Sequence, residues 1–346
     1  MTFKGYLRPN GTVGIRNHVI VIPTVFCANG AVEGIARRCP GVIGLPLSDG
    51  CDTKRVRTPY FNAAIMNICR NPNVYASIIV TLGCEPENAK QIAEQLRSEG
   101  LNAFGMVLQQ DGGGEKVIEV CCEKAREYLA EAAKLEKVDV PLSKAVIGLE
   151  TPFEMKREDR QSACAGNQDE EEYALQATEY VAKWFRGQGA SVITPTFYRF
   201  YEHMRNDRER LQTLGYCEQI GDRNGLFTID HDGPRFKGPK HGFFTLDPAE
   251  TFLGEFASGA QALFFASGKT LPLGFPVAPV LKYCSGEAYS FGEAIEDADF
   301  GGAYDEKLGE YCVQQILDVL NGKKTYAEIT NGADDMLCTL RRSNWY

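Results

Sequence analysis

Three cysteines of this chain occupy equivalent places in a repeating local pattern. Cys27, Cys51 and Cys84 each come within a few residues of the end of an apolar, strand-like segment. The clearest of these segments, Ile78–Leu82, stops at a glycine and is followed by Cys84, Glu85 and a proline that predicts the start of a helix. Ligands of parallel α/β sheets bind beyond the carboxyl ends of the strands, so the pattern predicts that the three thiols face one cleft.

Thiolates at such a place have a definite chemistry. They are soft ligands that suit iron or zinc, and three of them leave a coordination position open. A metal held this way, as a single ion or as an iron–sulfur cluster, can act as a Lewis acid on a substrate hydroxyl or carboxylate. The alternative is that these cysteines are small buried apolar residues, which is the interpretation for most of the other nine of the twelve cysteines.

Two further stretches are candidates for anion binding. Gly112–Gly114 lies between a predicted strand and a long predicted helix, so its amides, with Gln110, can cradle an anion; the alternative is a helix-entry turn. Ser267, Gly268 and Lys269 follow a predicted strand, with Lys282 beyond, and suit a carboxylate; the alternative is a solvated turn. Neither a P-loop nor a GxGxxG after a strand occurs, so the glycines do not indicate a nucleotide.

The elements that would position these groups alternate between strand and helix. Short apolar runs rich in Val and Ile alternate with amphipathic stretches and Gly-rich crossovers, which predicts a parallel-sheet α/β architecture in both halves of the chain. A linker-like segment at 134–142 divides residues 1–138 from residues 139–346, giving two α/β domains. The segment 220–242, rich in Gly, Asp, Lys and Pro, is predicted to be irregular.

Composition restricts the function classes. The 346 residues are 44% apolar and 24% charged, which is ordinary for a globular protein, and the net charge of −9 argues against a nucleic-acid binder. No apolar run reaches the length of a membrane span, and the amino terminus lacks the apolar core of a signal peptide. A cytoplasmic protein with reduced thiols is therefore expected.

Taken together, these stretches resemble the altronate/galactarate dehydratase family, which also contains sulfolactate sulfo-lyase large subunits. The matching segments are GTVGIRNHVIVIPTVFCANG (11–30), SDGC (48–51), NPNVYASIIVTLGCE (71–85), LQQDGGG (108–114) and ASGAQALFFASGKTLPLGFPVAPVLK (257–282). The resemblance implies iron-dependent removal of water from a sugar acid to give a 2-keto-3-deoxy acid. It also implies a dimerising first domain, a C-terminal Rossmann-like domain and a separate small β-clip subunit.

By position, the resemblance also implies roles for individual residues. Arg16 and Asn17 match a substrate-binding pair, Cys27, Cys51 and Cys84 match the family cysteines, and Lys282 matches a lysine near the last strand. A base must remove the proton alpha to the substrate carboxylate, and Glu85 and His18 are the candidates.

The chain departs from the family pattern at several places. The family's Cys-Gly-Gly-Ser-Asp motif falls at 148–156, where this chain reads GLETPFEMK. Three hypotheses therefore stay open: dehydration of a small hydroxy acid, elimination of sulfite from a sulfonated hydroxy acid, and a non-catalytic sugar-acid-binding paralogue.

Overall fold

The computed structural model describes residues 1–47, 61–150, 168–195, 211–215, 217–230, 248–267, 274–284, 298–299 and 304–330. The chain divides into two compact units: one contains Lys4–Asp139, and the other contains Met1–Phe3 with the described residues after Asp139. Cys51, Gly268 and Lys269 lie outside the described residues. No helix in the described part of the chain combines the length and the apolar character that crossing a membrane requires.

The strands and helices alternate along the chain, as predicted. The strands of the described residues are β1 Thr2–Leu7, β2 Val13–Gly14, β3 His18–Pro23, β4 Val42–Gly44, β5 Val74–Thr81, β6 Asn102–Val107, β7 Val138–Pro141, β8 Val146–Glu150, β9 Ser191–Pro195, β10 Leu211–Gly215, β11 Leu226–Asp230, β12 Ala262–Ser267, β13 Val280–Cys284 and β14 Ala298–Asp299. The helices are α1 Asn29–Arg38, α2 Phe61–Arg70, α3 Ala89–Ser98, α4 Gly113–Ala132, α5 Gln168–Gly187, α6 Pro248–Ser258, α7 Glu306–Leu320 and α8 Tyr326–Thr330.

The first unit is built on a four-stranded parallel sheet in the order β4-β3-β5-β6. Its strands are apolar on both faces: Val19 and Val21 pack into a buried cluster with α1 and α4, while Ile20 and Ile22 are also fully buried. Burial on both faces explains why these strands read as continuous apolar runs rather than alternating ones. The strand order changes direction between β3 and β5, which places a topological switch point there.

The second unit contains a seven-stranded sheet in the order β10-β11-β9-β8-β12-β13-β14, and all neighbouring pairs are parallel. When the edge strand β10 is left out and the other six strands are numbered by their order in the chain, the sheet order is 3-2-1-4-5-6. This is the Rossmann order. The two-domain parallel α/β prediction and its Rossmann-like second half are therefore confirmed. The switch point of this sheet lies between β8 and β12.

One prediction about the second unit is wrong. Residues 220–242 were expected to be irregular from their content of Gly, Asp, Lys and Pro, yet Leu226–Asp230 forms β11 inside the sheet. Leu226, Phe227 and Ile229 are buried in this strand. A five-residue strand needs only this short apolar core, and the polar residues around it concealed the signal.

Candidate functional site

The carboxyl ends of β3 and β5 carry the first unit's candidate groups. These strands are neighbours in register, with Pro23 opposite Val80, so the segments that follow them leave the same edge of the sheet. Residues 24–28 after β3 and residues 82–88 after β5 are here called the switch-point loops. They contain Cys27 and Cys84, respectively, and lie at the position where parallel sheets bind ligands.

Hydrogen bonds hold the two switch-point loops together. The hydroxyl of Thr24 donates to Glu85 Oε1 at 2.9 Å, and the Leu82 amide donates to the same oxygen at 2.7 Å. The Gly83 amide donates to Glu85 Oε2 at 2.7 Å. Burial by itself would raise the pKa of the Glu85 carboxyl, but these donors outweigh it and the net effect lowers that pKa.

This geometry does not favour the prediction that Glu85 acts as a general base. A carboxylate that accepts several hydrogen bonds and has a lowered pKa is a weak proton acceptor. Its contacts instead tie Thr24 to the backbone beside Cys84. Glu85 is therefore better suited to positioning the two loops than to removing a proton.

Exposure separates the candidate thiols from the remaining cysteines. Within the described residues, Cys27 and Cys84 are exposed, whereas the following six are buried: Cys39, Cys69, Cys121, Cys122, Cys217 and Cys312. Burial raises the pKa of the Cys121 thiol to about 12 and that of Cys69 to about 11, so these thiols are poor ligands and nucleophiles. Among these eight thiols, Cys27 and Cys84 are the ones that can meet a ligand.

The local structure around Cys84 differs from the prediction. Helix α3 begins at Ala89 rather than at Pro86, and the Asn88 side chain caps it by accepting hydrogen bonds from the amides of Lys90 and Gln91. Cys84 therefore lies in the loop before the helix, outside its first turn. Cys27 lies in a short 3-10 turn, Phe26–Ala28, that leads into α1.

Hydrogen bonds to Asn29, next to the first switch-point loop, fix the segment that leads to Cys51. Asn29, at the start of α1, donates from Nδ2 to the Leu47 carbonyl at 2.8 Å and accepts from the Leu47 amide at 3.0 Å. Asn29 is two residues from Cys27, and Leu47 is four residues from Cys51. Cys51 itself lies outside the described residues, and within them no group of three or more His, Cys, Asp or Glu side chains is arranged to hold a metal.

Arg16, Asn17 and His18 lie at the other end of β3. His18 begins the strand and Pro23 ends it, a separation of about 16 Å at 3.3 Å per residue. Asn17 accepts from Arg8 Nη1 at 2.7 Å and donates to the Ala132 carbonyl at the end of α4 at 2.7 Å. The structure therefore does not bring these three residues to the switch-point loops, and the role of His18 as a base stays a prediction.

Gln110 and the glycines that follow it form the entry to α4. Gly112 and Gly113 have φ of +95° and +84°, and α4 begins at Gly113 without a side-chain cap. Asp111 accepts from the Val107 amide at 2.8 Å and from Lys90 Nζ at 2.6 Å, which closes the turn. Gln110 is exposed beside it. Anion binding at this turn stays a prediction.

In the second unit, β12 and β13 carry Ser267 and Lys282. Both are buried: Ser267 ends β12, whereas Lys282 lies inside β13, level with Phe265. Lys282 is fully buried, so it does not belong to a solvated turn. Gly268 and Lys269, the remainder of the predicted carboxylate site, lie outside the described residues.

Sequence reasoning missed a pair of buried acids in this unit. Glu150 is the last residue of β8, and Glu255 lies on α6. Their exposed fractions are 1% and 0%, so both side chains are buried. Glu150 is paired in register with Phe265, and Phe265 with Lys282, so three strands carry these residues at one level of the sheet. A glutamate at the end of an apolar strand at the switch point was the available signal.

Comparisons with known proteins agree across both units. The family model described as D-galactarate dehydratase/altronate hydrolase, second domain, matches residues 5–133, and the one described as D-galactarate/altronate dehydratase, C-terminal, matches residues 214–343. The chain belongs to the altronate/galactarate dehydratase family.

Individual relatives differ in how much of the chain they match. The chain is 28% identical to (2R)-sulfolactate sulfo-lyase subunit beta of Chromohalobacter salexigens, over 99% of this chain and 98% of that protein. It is 31% identical to altronate dehydratase of Bacillus subtilis over 43% of this chain and 31% of that protein. It is 32% identical to altronate dehydratase of Escherichia coli over 26% of this chain and 20% of that protein. All three relatives are lyases, which supports a lyase function for this family member.

Proposed function

We propose that this chain is a lyase that removes water from a small anionic hydroxy acid of the altronate or galactarate type, giving a 2-keto-3-deoxy acid. The observation that carries the proposal is the placement of the two exposed cysteines after adjacent strands at a switch point, in a chain that belongs to a dehydratase family. Exposed thiols at a ligand-binding edge, among six buried ones, suit a reactive role.

Elimination of sulfite from a sulfonated hydroxy acid is the second candidate function. It is favoured by one observation: the alignment with a sulfolactate sulfo-lyase subunit beta runs almost end to end in both proteins, whereas the altronate dehydratases match less than half of this chain. Both reactions remove a proton alpha to a carboxylate and expel a group from the neighbouring carbon, so they need the same kind of site.

The exposed thiols of the switch-point loops are donors of the kind that iron accepts. Cys27 and Cys84 are exposed thiols on two loops that the Thr24–Glu85 hydrogen bond joins. The segment that leads to Cys51 is anchored by a hydrogen bond to Asn29, two residues after Cys27. We propose that Cys27, Cys51 and Cys84 hold iron, as Fe²⁺ or as a cluster. Iron held there would supply Lewis-acid polarisation of the leaving group or of the substrate carboxylate.

The substrate carboxylate needs a cationic or hydrogen-bonding partner. Ser267, Gly268, Lys269 and Lys282 are proposed for this role, because Ser267 ends β12 and parallel sheets bind ligands at that edge. The segment 148–156 lacks the family's Cys-Gly-Gly-Ser-Asp motif. If that motif binds substrate, its loss supports a different substrate; if it binds metal or takes part in the chemistry, its loss supports the non-catalytic paralogue.

Two partners form part of the proposal. The relative that aligns end to end is named as a subunit beta, which supports a separate small subunit for this chain. A homodimer formed through the first unit is also proposed. Size-exclusion chromatography with light scattering of the purified chain tests the dimer, and the same measurement on co-expressed protein tests the small subunit.

The experiment that tests the proposal begins with metal analysis. Anaerobically purified and iron-reconstituted protein is expected to contain stoichiometric iron with thiolate or cluster absorption. Cys27→Ser, Cys51→Ser and Cys84→Ser are each expected to lose most of this iron, whereas Cys121→Ser, on buried helix α4, serves as the matched control and keeps it. Iron bound equally by all four variants would contradict the assignment of the ligands.

Activity then distinguishes the reactions. Altronate, galactarate and sulfolactate are each offered to the reconstituted protein, with 2-keto acid and sulfite as the measured products. Release of 2-keto acid from a sugar acid supports dehydration, and release of sulfite supports the second candidate. Protein that remains free of metal and inactive on all three, yet binds a sugar acid by calorimetry, would indicate the non-catalytic paralogue instead.

A further inference from the structure

Two carboxyl groups of the second unit are buried on the same face of the sheet, and the described residues give three of their four oxygens no hydrogen-bonding partner. Glu150 closes β8, and Glu255 projects from α6. Within the described part of the chain, Oε1 of Glu150 and both carboxyl oxygens of Glu255 have no hydrogen-bond partner. A buried polar atom left without a partner costs about 1–3 kcal/mol of folding stability, so its retention calls for a functional account.

The backbone of β8 makes room for the Glu255 carboxyl. A Cβ atom added to Gly148 would lie 2.6 Å from Glu255 Oε2, so only glycine lets this carboxyl approach the strand. Gly148 and Glu150 are two residues apart on one strand, so they face the same side of the sheet. The same side carries Phe265, whose ring packs edge-on against Phe252 of α6.

Two charged groups among the described side chains belong to elements of this face. They are Glu255 of α6 and Lys282 of β13. Lys282 is level with Glu150, but β12 lies between them, which separates their Cα atoms by about 10 Å. Burial, and then the neighbouring Glu255, raise the pKa of Glu150 well above its usual range.

Glu255 is shifted in the same direction. Burial raises the pKa of its carboxyl well above the usual range, and the nearby Leu149 backbone amide opposes this shift only in part. Two carboxylates buried on one face in apolar surroundings repel each other when both are ionised, so at least one of them retains a proton. A carboxyl pair in this state contains one acid and one base at the same time.

We propose that Glu150 and Glu255 share one proton, and that Glu150 is the general base of the elimination reaction, with Glu255 as the residue that positions and tunes it. This inference rests on the lyase function proposed above and adds the group that removes the proton. Glu150 is the member at the carboxyl end of a strand at the switch point between β8 and β12, where a substrate of this sheet would bind.

The proton balance of the step is complete within the pair. The ionised carboxyl takes the proton alpha to the substrate carboxylate, the electron pair of that C–H bond forms the C=C bond, and the leaving group departs with the electrons of its own bond. The pair then holds two protons. One is given to the departing hydroxide, which leaves as water, or is released to solvent when sulfite leaves; the pair returns to one proton.

Infrared spectroscopy of the full chain tests the shared proton without any substrate. Protein with ¹³C-labelled glutamate side chains is expected to show the C=O stretch of a protonated carboxylic acid at neutral pH. This band is expected to disappear in the double variant Glu150→Gln/Glu255→Gln, because burial alone keeps the pKa of the remaining acid raised in either single variant. Glu310→Gln, an exposed position on α7, is the matched control and keeps the band. A wild-type spectrum without the band overturns the shared proton.

Kinetics with whichever of sulfolactate, altronate or galactarate the wild-type protein converts test the base. Glu150→Gln is expected to lower kcat by at least about 100-fold, the usual contribution of a general base. Glu255→Gln is expected to keep measurable activity while the acidic limb of its pH–rate profile moves to lower pH, because Glu150 loses its repelling neighbour. A Glu150→Gln variant within threefold of wild type, or an unmoved limb in Glu255→Gln, overturns the assignment.

The two proposals fail in different ways. If the wild-type protein converts none of the three acids, the lyase function fails and the base assignment fails with it, while the infrared band still decides whether the proton is shared. If the wild-type protein is active and Glu150→Gln is equally active, the lyase function stands and only the assignment of Glu150 is overturned. Gln is isosteric with the protonated carboxyl, so both variants are expected to fold.

Discussion

Thr24 and Glu85 join the two loops that carry the exposed cysteines. The Thr24 hydroxyl, which is fully buried, donates to Glu85 Oε1 at 2.9 Å across the gap between the segments that follow β3 and β5. The remaining acceptor capacity of Glu85 is directed at the backbone amides of its own loop. The relative position of Cys27 and Cys84 therefore depends on a hydroxyl and a carboxylate that are not themselves metal ligands.

Replacing Thr24 with valine keeps the shape of the side chain and removes this bond. We expect the free energy of unfolding to fall by about 1.5–3 kcal/mol, the range for a hydrogen bond to a charged group. We also expect faster labelling of Cys27 and Cys84 by a thiol reagent and weaker iron binding, because the loops lose their link. Denaturant unfolding, labelling kinetics and iron titration measure these effects.

Ser98→Ala is the control for that change. It removes a hydroxyl that donates to the Gln95 carbonyl at 2.7 Å on the exposed surface of α3. Labelling of both cysteines and iron affinity should remain at wild-type values. Equal labelling rates in Thr24→Val and Ser98→Ala would show that the Thr24–Glu85 bond does not order the site.

The lowered pKa of Glu85 predicts a pH dependence of stability. A carboxyl with a folded-state pKa below its unfolded value stabilises the fold above the unfolded pKa, about 4.3–4.5, and that contribution is lost as the pH falls through the folded value. Glu85→Gln is therefore expected to be less stable than wild type at pH 7 and to approach wild type at pH values below about 4. Urea unfolding at a series of pH values measures the difference, and a gap that stays constant with pH would contradict it.

Gly83 is required by both its conformation and its surroundings. Its φ is +116°, and an added Cβ would lie 3.0 Å from Val107 Cγ1 and 3.2 Å from Gln109 Oε1. Gly83→Ala is therefore expected to lower the free energy of unfolding by about 1–3 kcal/mol, the cost of a strained backbone residue, and to displace Cys84. Thermal unfolding and iron titration are the measurements.

Gly100→Ala separates the two causes. Gly100 also has a positive φ, +80°, but an added Cβ would have no heavy atom within 4 Å. This variant should therefore show the backbone cost alone, with iron binding unchanged. If Gly83→Ala is no more destabilising than Gly100→Ala, the contact with β6 does not matter and the loop can move to accommodate the methyl group.

The central strands of both sheets, such as β3, β5, β8 and β12, could be predicted from sequence because they are buried on two faces. Ile78, Ile79 and Val80 form a continuous apolar run, and the position of Cys84 directly after it follows from parallel-sheet topology. The same reasoning failed where a group's surroundings come from distant segments. Glu85 reads as a free acid beside a cysteine, and only the fold shows that Thr24, 61 residues away, donates to it.

The pair of buried acids illustrates the same limit. Glu255 belongs to a helix whose sequence, PAETFLGEFAS, permits a solvent-exposed glutamate at that position. Its burial is decided by Gly148 on β8, which is more than 100 residues away and leaves space for the carboxyl. Neither residue indicates the other in sequence, because their proximity depends on how α6 packs on the sheet.

Asn17 is a predicted substrate-binding residue whose side chain makes two hydrogen bonds within the first unit. Its side chain accepts from Arg8 Nη1 and donates to the Ala132 carbonyl, each at 2.7 Å, and Arg8 is buried with its other donors on the Pro72 and Arg16 carbonyls. Burial lowers the pKa of Arg8 to about 10, so its charge is poorly solvated and depends on these acceptors.

We therefore expect Asn17→Ala to lower the free energy of unfolding by about 2–3 kcal/mol, since it leaves a charged buried donor without its acceptor. Iron content and the labelling of Cys84 should stay at wild-type values, because Asn17 lies at the opposite end of β3. Arg37→Ala, on the exposed surface of α1, is the control for stability and should unfold close to wild type. Wild-type stability in Asn17→Ala together with a raised KM for the hydroxy acid would instead return Asn17 to the substrate site, since loss of a structural contact alone cannot produce that combination.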